Sequence, residues 1–463
     1  MKNENIIMMA DSYKYGHHKQ YPKDMSYMYD YIEARKGPEE ITISGLQYYI
    51  KRYLSQKITT ESVEEAAEFA KFHGIDFNYD GWMYIAKQLN GKIPIRIKAV
   101  EEGVKVKPGV PLVVVESTDE NVPWVVGWVE TMLMKIWYPT VITTKSKQVF
   151  EMLKKYGSEE WARFAYHNFG DRSMTSVESA AISGFAHNCI FMGTDNFNSL
   201  KFARDYYGAE ISAFSVFATE HSSTTANAEG STEKEIKFVE RMVKENDKEG
   251  AILSFVADSY DVFNFVEKVT SENSYIRSKI QERKQKIVIR PDSGNPIEVI
   301  SKILEIMEKN NVFDIEINGK KASSWAGILW SDGINPTTIE NILKTFIEKG
   351  YAAENFVFGS GTQLGQTGID RDTFSFAMKC SYIERMVDGK KVGVEVFKNP
   401  ITDSKKQSKK GKVITIKRDD EIICIKESEK QPNDIEMLKV VFENGKVKNE
   451  ITLDKIRENI DKF

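Results

Sequence analysis

Residues 287 to 296, IVIRPDSGNP, place an arginine and an aspartate two positions apart where an apolar run gives way to turn residues. Arg290 offers a planar fork suited to a phosphate, and Asp292 can accept from sugar hydroxyls or hold a metal. Ser293, Gly294 and Asn295 predict a tight turn and Pro296 a first helical position, which would leave backbone N–H groups free for an anion. An anion next to a diol describes a sugar phosphate. The same string also reads as a structural ion pair followed by a turn. In FATEHSS, His221 follows a short apolar run, where a lone histidine is more often structural than catalytic. HNFGDRS sets Phe169 three residues before Arg172, so a flat ring could stack on the first while a phosphate meets the second. Packing in the core is the ordinary alternative for Phe169. The segment 355 to 372 is interrupted by Gly359, Gly361, Gly365 and Gly368, with Arg371 close behind. It could wrap a phosphate with backbone amides, yet it fits neither the Walker nor the dinucleotide fingerprint.

Such residues act together only if the fold collects them. From about residue 160 the chain repeats a short apolar run, a polar cluster and a long segment of helical periodicity. The clearest runs are AILSFVADSY, KIVIRPDSG, WAGILWSDG and NFVFGSGT. Between them, Ile297, Ile300, Ile303, Leu304 and Met307 recur at helical spacing, as do the apolar residues of TTIENILKTFIEKG. Asp258, Asp292, Asp332 and Ser360 follow one another at intervals of 34, 40 and 28 residues, which suits successive strand-helix units of a barrel or doubly wound sheet. In those folds the loops after parallel strands converge on one face. Any single polar cluster could be only a turn; three carboxylates at the same point of the repeat argue for a shared site.

The flanks read differently. Residues 92 to 118 form short β runs with turns at Glu102-Gly103 and Pro108-Gly109, and after about 385 KKVGVEVFKNP, GKVITIKR, EIICIKE and LKVVFENGKV are again β, with Asn444-Gly445 a hairpin turn. The expected fold class is therefore α/β: an irregular TIM-like α/β barrel over 161–385, inserted into a mixed, largely β domain built from 1–160 together with 386–463. The run SKKQSKKGK from Ser404 is expected to be a solvated loop.

Composition narrows the function. Lysine and arginine total 64 against 68 acids, a formal charge of −4, so no global field favours nucleic acid or an anionic membrane. Cys189, Cys380 and Cys424 lack metal or disulfide spacing, and the opening residues show no signal peptide, so a cytoplasmic location is expected. The apolar stretch from Val122 to Ile142 is broken by Pro123, Glu130, Lys135 and Pro139 and predicts a buried helix rather than a span.

Read together, the motifs resemble the nicotinamide phosphoribosyltransferases, a type II phosphoribosyltransferase family. ADSYKYGHHKQYP, GWMYIAKQLNGKIPIRIKAVEEG, WVETMLMKIWYPT, HNFGDRS, MGTDN, SVFATEHSS, VADSYDVFN, IRPDSGNP, FGSG, RDTFSFAMKCSY, VFKNP and SKKGK occur in the family's order over essentially the whole chain. The resemblance implies transfer of phosphoribose from phosphoribosyl pyrophosphate to nicotinamide. Mg²⁺ would serve as cofactor, ATP as a co-substrate acting through a phosphohistidine, and a homodimer would share its active sites.

Carried onto this sequence, it implies that Phe169 sandwiches the pyridine ring against Tyr13 of the other subunit and that Asp195 accepts the carboxamide N–H₂. Arg172 and Arg290 would hold pyrophosphate, Asp292 ribose hydroxyls, and Asp258 the metal and ribose region, with Mg²⁺ near Asp258 and Asp292. Ser331, Asp332, Gly361, Thr362 and Arg371 would hold the ribose phosphate, and Asp11, Arg35, Lys379 and Lys398 would come from the partner. His221 matches the phosphorylated histidine. Ser331, Thr362-Gln363, Ala377 and Phe217 depart from the family pattern. A nicotinate phosphoribosyltransferase is the nearest rival, discriminated by Asp195; a catalytically silent binding or signalling homologue is the rival of another class.

Overall fold

The computed structural model describes residues 4–402 and 407–462, so the basic run that begins at Ser404 lies partly outside the described residues. The chain forms two units: Met1–Thr144, Phe202–Glu210 and Gly368–Phe463 make one, Lys145–Lys201 and Ile211–Thr367 the other.

The unit built from both termini centres on a seven-stranded sheet. Its order is Lys390–Glu395, Phe376–Val387, Met25–Ala34, Pro111–Ser117, Ile95–Val100, Leu438–Glu443 and Lys446–Val447. The strand Met25–Ala34 is buried along almost its whole length, and Pro111–Ser117 throughout, which is why neither shows the polar alternation of a sheet with one wet face. The Asn444-Gly445 turn has φ of 49° and 77°, the left-handed pair that a two-residue hairpin requires.

Sequence reading placed the divisions near 160 and 385, whereas the units part at Thr144 and Thr367. The second difference has a clear cause. Phe376–Val387 pairs antiparallel with Met25–Ala34 from Ala34 opposite Phe376 to Met25 opposite Arg385, and twelve residues committed to that sheet take Arg371 and Lys379 with them. The stretch 122–142, expected as one buried helix, is mostly buried, with Lys135 exposed, and is broken into Val125–Trp128, Glu130–Leu133, a 3₁₀ turn at Met134–Ile136 and the start of Trp137–Leu153. Pro139 sits in the first turn of that last helix, where its missing N–H costs nothing. No helix among the described residues is long and apolar enough to cross a membrane.

The other unit is a ring of parallel strands. Tyr166–Asn168, Phe356–Ser360, Ala326–Trp330, Lys286–Arg290, Ile252–Val256 and Phe217–Ala218 lie side by side in that order. Bridges from Asn168 to Thr194 and from Gly193 to Phe214 close the ring through the 193–194 segment. The helices between strands turn one apolar stripe inward: Ile300, Ile303, Leu304 and Met307 on Pro296–Lys309, and Ile339, Ile342, Leu343 and Phe346 on Pro336–Glu348, are all buried. Ile297, one turn earlier, is only half-buried.

His187, in helix Val177–Asn188, packs against this ring. Its Nε2 meets the Tyr166 carbonyl at 3.0 Å and its ring stacks on Phe191 at 4.8 Å. Burial pushes its pKa down to about 3. A histidine with a depressed folded value binds fewer protons folded than unfolded, so its stabilisation is complete above the unfolded value near 6.5 and is lost as pH falls from there toward about 3. Between pH 7.5 and 5 the wild-type chain should lose about 2 kcal/mol that His187→Asn does not. Urea titration of both proteins at the two pH values measures that difference; equal losses would remove His187 as the cause.

Candidate active site

Parallel strands in a closed ring end on one face, so each site residue stands just past its strand end: Phe169 after Asn168, Asp258 after Val256, Arg290 and Asp292 at and after the strand Lys286–Arg290, Ser331 after Trp330, and Gly361 after Ser360. Asp195 follows the 193–194 bridges, its N–H donating to the Asn168 carbonyl at 2.9 Å.

Arg290 is the centre. One guanidinium nitrogen, Nη2, donates to the Thr219 carbonyl at 2.7 Å, while Nε is buried with no partner. Burial lowers its pKa; Asp292, Asp195 and Asp258 oppose that, and Arg172 adds to it. The four charged residues named from sequence thus lie within electrostatic reach of this one guanidinium. No ion pair joins Arg290 to Asp292, so the structural-pair reading of RPD fails and the fork keeps a donor for an anion.

Asp258 holds two partners from separate strand-helix units. Its Oδ1 lies 2.9 Å from His221 Nε2, and its Oδ2 accepts the Ser293 hydroxyl at 2.6 Å. Burial works to raise this carboxyl, but Ser293 and His221 hold it below the usual range, so it is a carboxylate at neutral pH. One ring nitrogen of His221 is engaged by Asp258, and the side chain is 48% exposed. Behind them Glu235, in helix Thr232–Glu245, is fully buried, and burial raises it to about 7. The sequence reading missed Glu235 because an acid in a charged amphipathic helix gives no local sign of facing inward.

One expectation is corrected. The turn before Pro296 does not leave the first N–H groups of the helix free, because the Asn295 side chain accepts from Ile297 N at 3.0 Å and Glu298 N at 3.2 Å. Asparagine at that position is an N-cap, and it satisfies the donors that an anion would have used. Ser293 likewise faces Asp258. Gly294 is required by the turn, at φ 94°.

The Phe169 ring packs on Gly359, where a Cβ would stand 2.1 Å from the ring, so only glycine admits it, and Phe169 is half-buried. His167 packs the same way on Gly193. Burial lowers the His167 pKa and Asp195 opposes it. Ser331 donates its hydroxyl to Asp292 Oδ1, which orients that carboxylate. Asp332 is exposed at the rim, and the Trp330 indole bonds its backbone carbonyl. Thr362 meets Ser173 at 3.3 Å and opens a four-residue helix. Arg172, in the 3₁₀ turn Asp171–Ser173, is exposed. Phe217 packs against Phe255.

The other predicted residues belong to the terminal unit. Asp11 accepts the Thr131 hydroxyl at 2.8 Å, and Tyr13 is 61% exposed. Burial lowers the Lys379 pKa; Glu130 opposes it, Arg35 and Lys14 add to it, and Asp30 opposes it. Lys14, Asp30 and Glu130 therefore join Arg35 and Lys379 in one charged cluster, a grouping that sequence order conceals. Arg371 pairs with its neighbour Asp372 at 2.8 Å, and Lys398 is exposed. Ala377 lies opposite Glu33 in the sheet.

The site is thus a half-buried guanidinium with one unpartnered nitrogen, set among carboxylates at the carboxyl face of a ring of parallel strands. The chain belongs to the nicotinate phosphoribosyltransferase (NAPRTase) family, whose model matches residues 164–446. A second model, the N-terminal domain of nicotinamide phosphoribosyltransferase, matches residues 5–97. The nicotinamide phosphoribosyltransferase of Xanthomonas campestris pv. campestris is 35% identical, covering 99% of this chain and 98% of that protein. The nicotinamide phosphoribosyltransferase of Acinetobacter baylyi is 28% identical over 98% of this chain and 97% of its own length. Among solved structures, a nicotinate-nucleotide pyrophosphorylase from Pyrococcus furiosus shares the fold at a TM-score of 0.60 and 14% identity, covering 100% of this chain and 96% of that one. Human nicotinic acid phosphoribosyltransferase does so at 0.57 and 13%, covering 98% and 93%.

Proposed function

We propose that this enzyme transfers phosphoribose from phosphoribosyl pyrophosphate to nicotinamide, forming nicotinamide mononucleotide and pyrophosphate in NAD salvage. The observation that carries the reading is the gathering of Asp195, Asp258, Asp292 and Arg172 around Arg290, whose Nε has no partner in the protein. In the reaction the bond from ribose C1 to the diphosphate oxygen breaks and a bond from C1 to the pyridine nitrogen forms. Charge develops on the departing diphosphate, where Arg290 and Arg172 stabilise it, and Asp292, oriented by Ser331, accepts from ribose hydroxyls. Phe169 offers the ring face and Asp195 an acceptor for the carboxamide; a carboxylate at that point disfavours nicotinate. The Xanthomonas and Acinetobacter relatives are both named nicotinamide phosphoribosyltransferases, which supports the same preference.

Mg²⁺ suits this donor set as an ion that arrives on the diphosphate. No group of three metal-ligating residues occurs among the described residues, and Mg²⁺ commonly takes one or two carboxylates plus substrate phosphates. Asp292 and Asp258 are the carboxylates in place to meet it; when bound, the ion would neutralise leaving-group charge.

ATP is proposed to act through His221. Asp258 would accept from Nε2–H of the neutral ring, so that the lone pair on Nδ1 attacks the γ-phosphorus as the bond to the ADP oxygen breaks, and the same carboxylate would offset the positive charge of the phosphoimidazole that forms. With γ-labelled ATP the wild-type chain should take up acid-labile phosphate and show an ATP-dependent gain in turnover, and His221→Ala should lose both. Undiminished labelling in the variant would place the phosphate elsewhere. The proposed homodimer would bring Tyr13, Asp11, Arg35, Lys379 and Lys398 to the partner's site; sedimentation gives the state. A mononucleotide assay with nicotinamide or nicotinate, with and without ATP and Mg²⁺, tests the whole reading: no product from nicotinamide rejects it.

A further inference from the structure

Asp195 has a side-chain partner on the segment that follows the 193–214 bridge. The Ser215 hydroxyl lies 2.6 Å from Asp195 Oδ1, and 3.5 Å from the Val216 carbonyl. A hydroxyl has one proton, and the nearer, charged acceptor takes it, so Ser215 donates to the carboxylate. The contact is built by the backbone: Phe214 N donates to the Met192 carbonyl and Thr194 N to the Phe214 carbonyl, which sets Ser215 one residue beyond Phe214 and Asp195 two beyond its bridge partner Gly193. Twenty residues of sequence separate them, and the ring closure makes them neighbours.

The direction of that bond has a chemical consequence. Once its proton points at Oδ1, the Ser215 oxygen presents only lone pairs elsewhere, beside the remaining oxygen of Asp195. The pair is then a double acceptor. A carboxamide N–H₂, with two donors, complements it, whereas a carboxylate has no donor to offer and meets two electron-rich oxygens. A donor in place of Ser215, or none, weakens that contrast.

We propose that Ser215 is a specificity-determining residue for the pyridine substrate, holding Asp195 in the rotamer that selects a carboxamide over a carboxylate; this rests on the base transfer proposed above. It touches the reaction only through Asp195 and the ring substituent, so its effect belongs to base binding rather than to departure of the diphosphate.

Steady-state transfer by wild-type enzyme, Ser215→Ala and Ser215→Thr, with nicotinamide and nicotinate as separate substrates, tests this. Ser215→Ala should raise KM for nicotinamide on the order of tenfold, leave kcat within about twofold, and narrow the nicotinamide to nicotinate ratio of kcat/KM by a similar factor. Ser215→Thr, which keeps the hydroxyl, should restore both. An alanine variant with wild-type KM and wild-type ratio overturns the inference, as does a loss confined to kcat. If the alanine variant melts early, Ser215→Cys, of similar size with a weak donor, carries the same comparison. Wild-type enzyme that makes no mononucleotide from nicotinamide overturns the proposed function, and this inference with it.

Discussion

Arg290→Lys is expected to reduce kcat for phosphoribosyl transfer by on the order of 10²–10³. Wild-type Arg290 performs two tasks with one planar group: Nη2 is tied to the Thr219 carbonyl, and the buried Nε still has a hydrogen to donate. Lysine keeps the charge but concentrates it on one nitrogen, which cannot hold Thr219 and meet a leaving diphosphate in the same plane. An orphaned buried N–H costs about 1–3 kcal/mol, a cost that an anion relieves on binding. Added pyrophosphate should accordingly raise the melting temperature of the wild-type chain and do so less for the variant. A lysine enzyme with kcat within threefold of wild type, and an unchanged response to pyrophosphate, would make Arg290 a brace for Thr219 and nothing more.

Asp195→Asn should have the second large effect, and it should be read as a ratio. Asparagine replaces one acceptor oxygen by a donor, so the nicotinamide N–H₂ loses its partner while a nicotinate carboxylate gains one. Sites built around a polar substituent discriminate by factors of about 10⁴–10⁵ when a buried partner is left unpaired. Asp195 is exposed, so a shift on the order of 10² in relative kcat/KM is expected. Competition between the two bases, with both mononucleotides quantified, measures it. An unchanged ratio would remove Asp195 from base selection and return the nicotinate reading to equal standing.

Much of the barrel was legible. Apolar runs ending in Asp, Ser or Gly became Ile252–Val256, Lys286–Arg290, Ala326–Trp330 and Phe356–Ser360, and the helical stripes between them became buried faces. Those signals are local, carried by side-chain period and turn chemistry over a few residues. Asn295 shows where local reading misleads: the same asparagine that completes a turn also caps the helix, and only its side-chain rotamer shows that it removes the donors assigned to an anion. The strand Phe376–Val387 shows a second limit. Nothing in its composition says that its partner is Met25–Ala34, more than three hundred residues away.

By itself the sequence determined the repeating strand-helix rhythm, the chemical types waiting at strand ends and the family to which they belong. Tertiary structure alone decided that Arg290 keeps a free donor, that Asp258 binds His221 and Ser293 at once, that Phe169 rests on Gly359 and that Ser215 points its proton at Asp195. The reason is geometric. Periodicity follows from torsions within a few neighbouring residues, whereas each of these contacts depends on the closure of a ring whose members meet only after the intervening helices have packed.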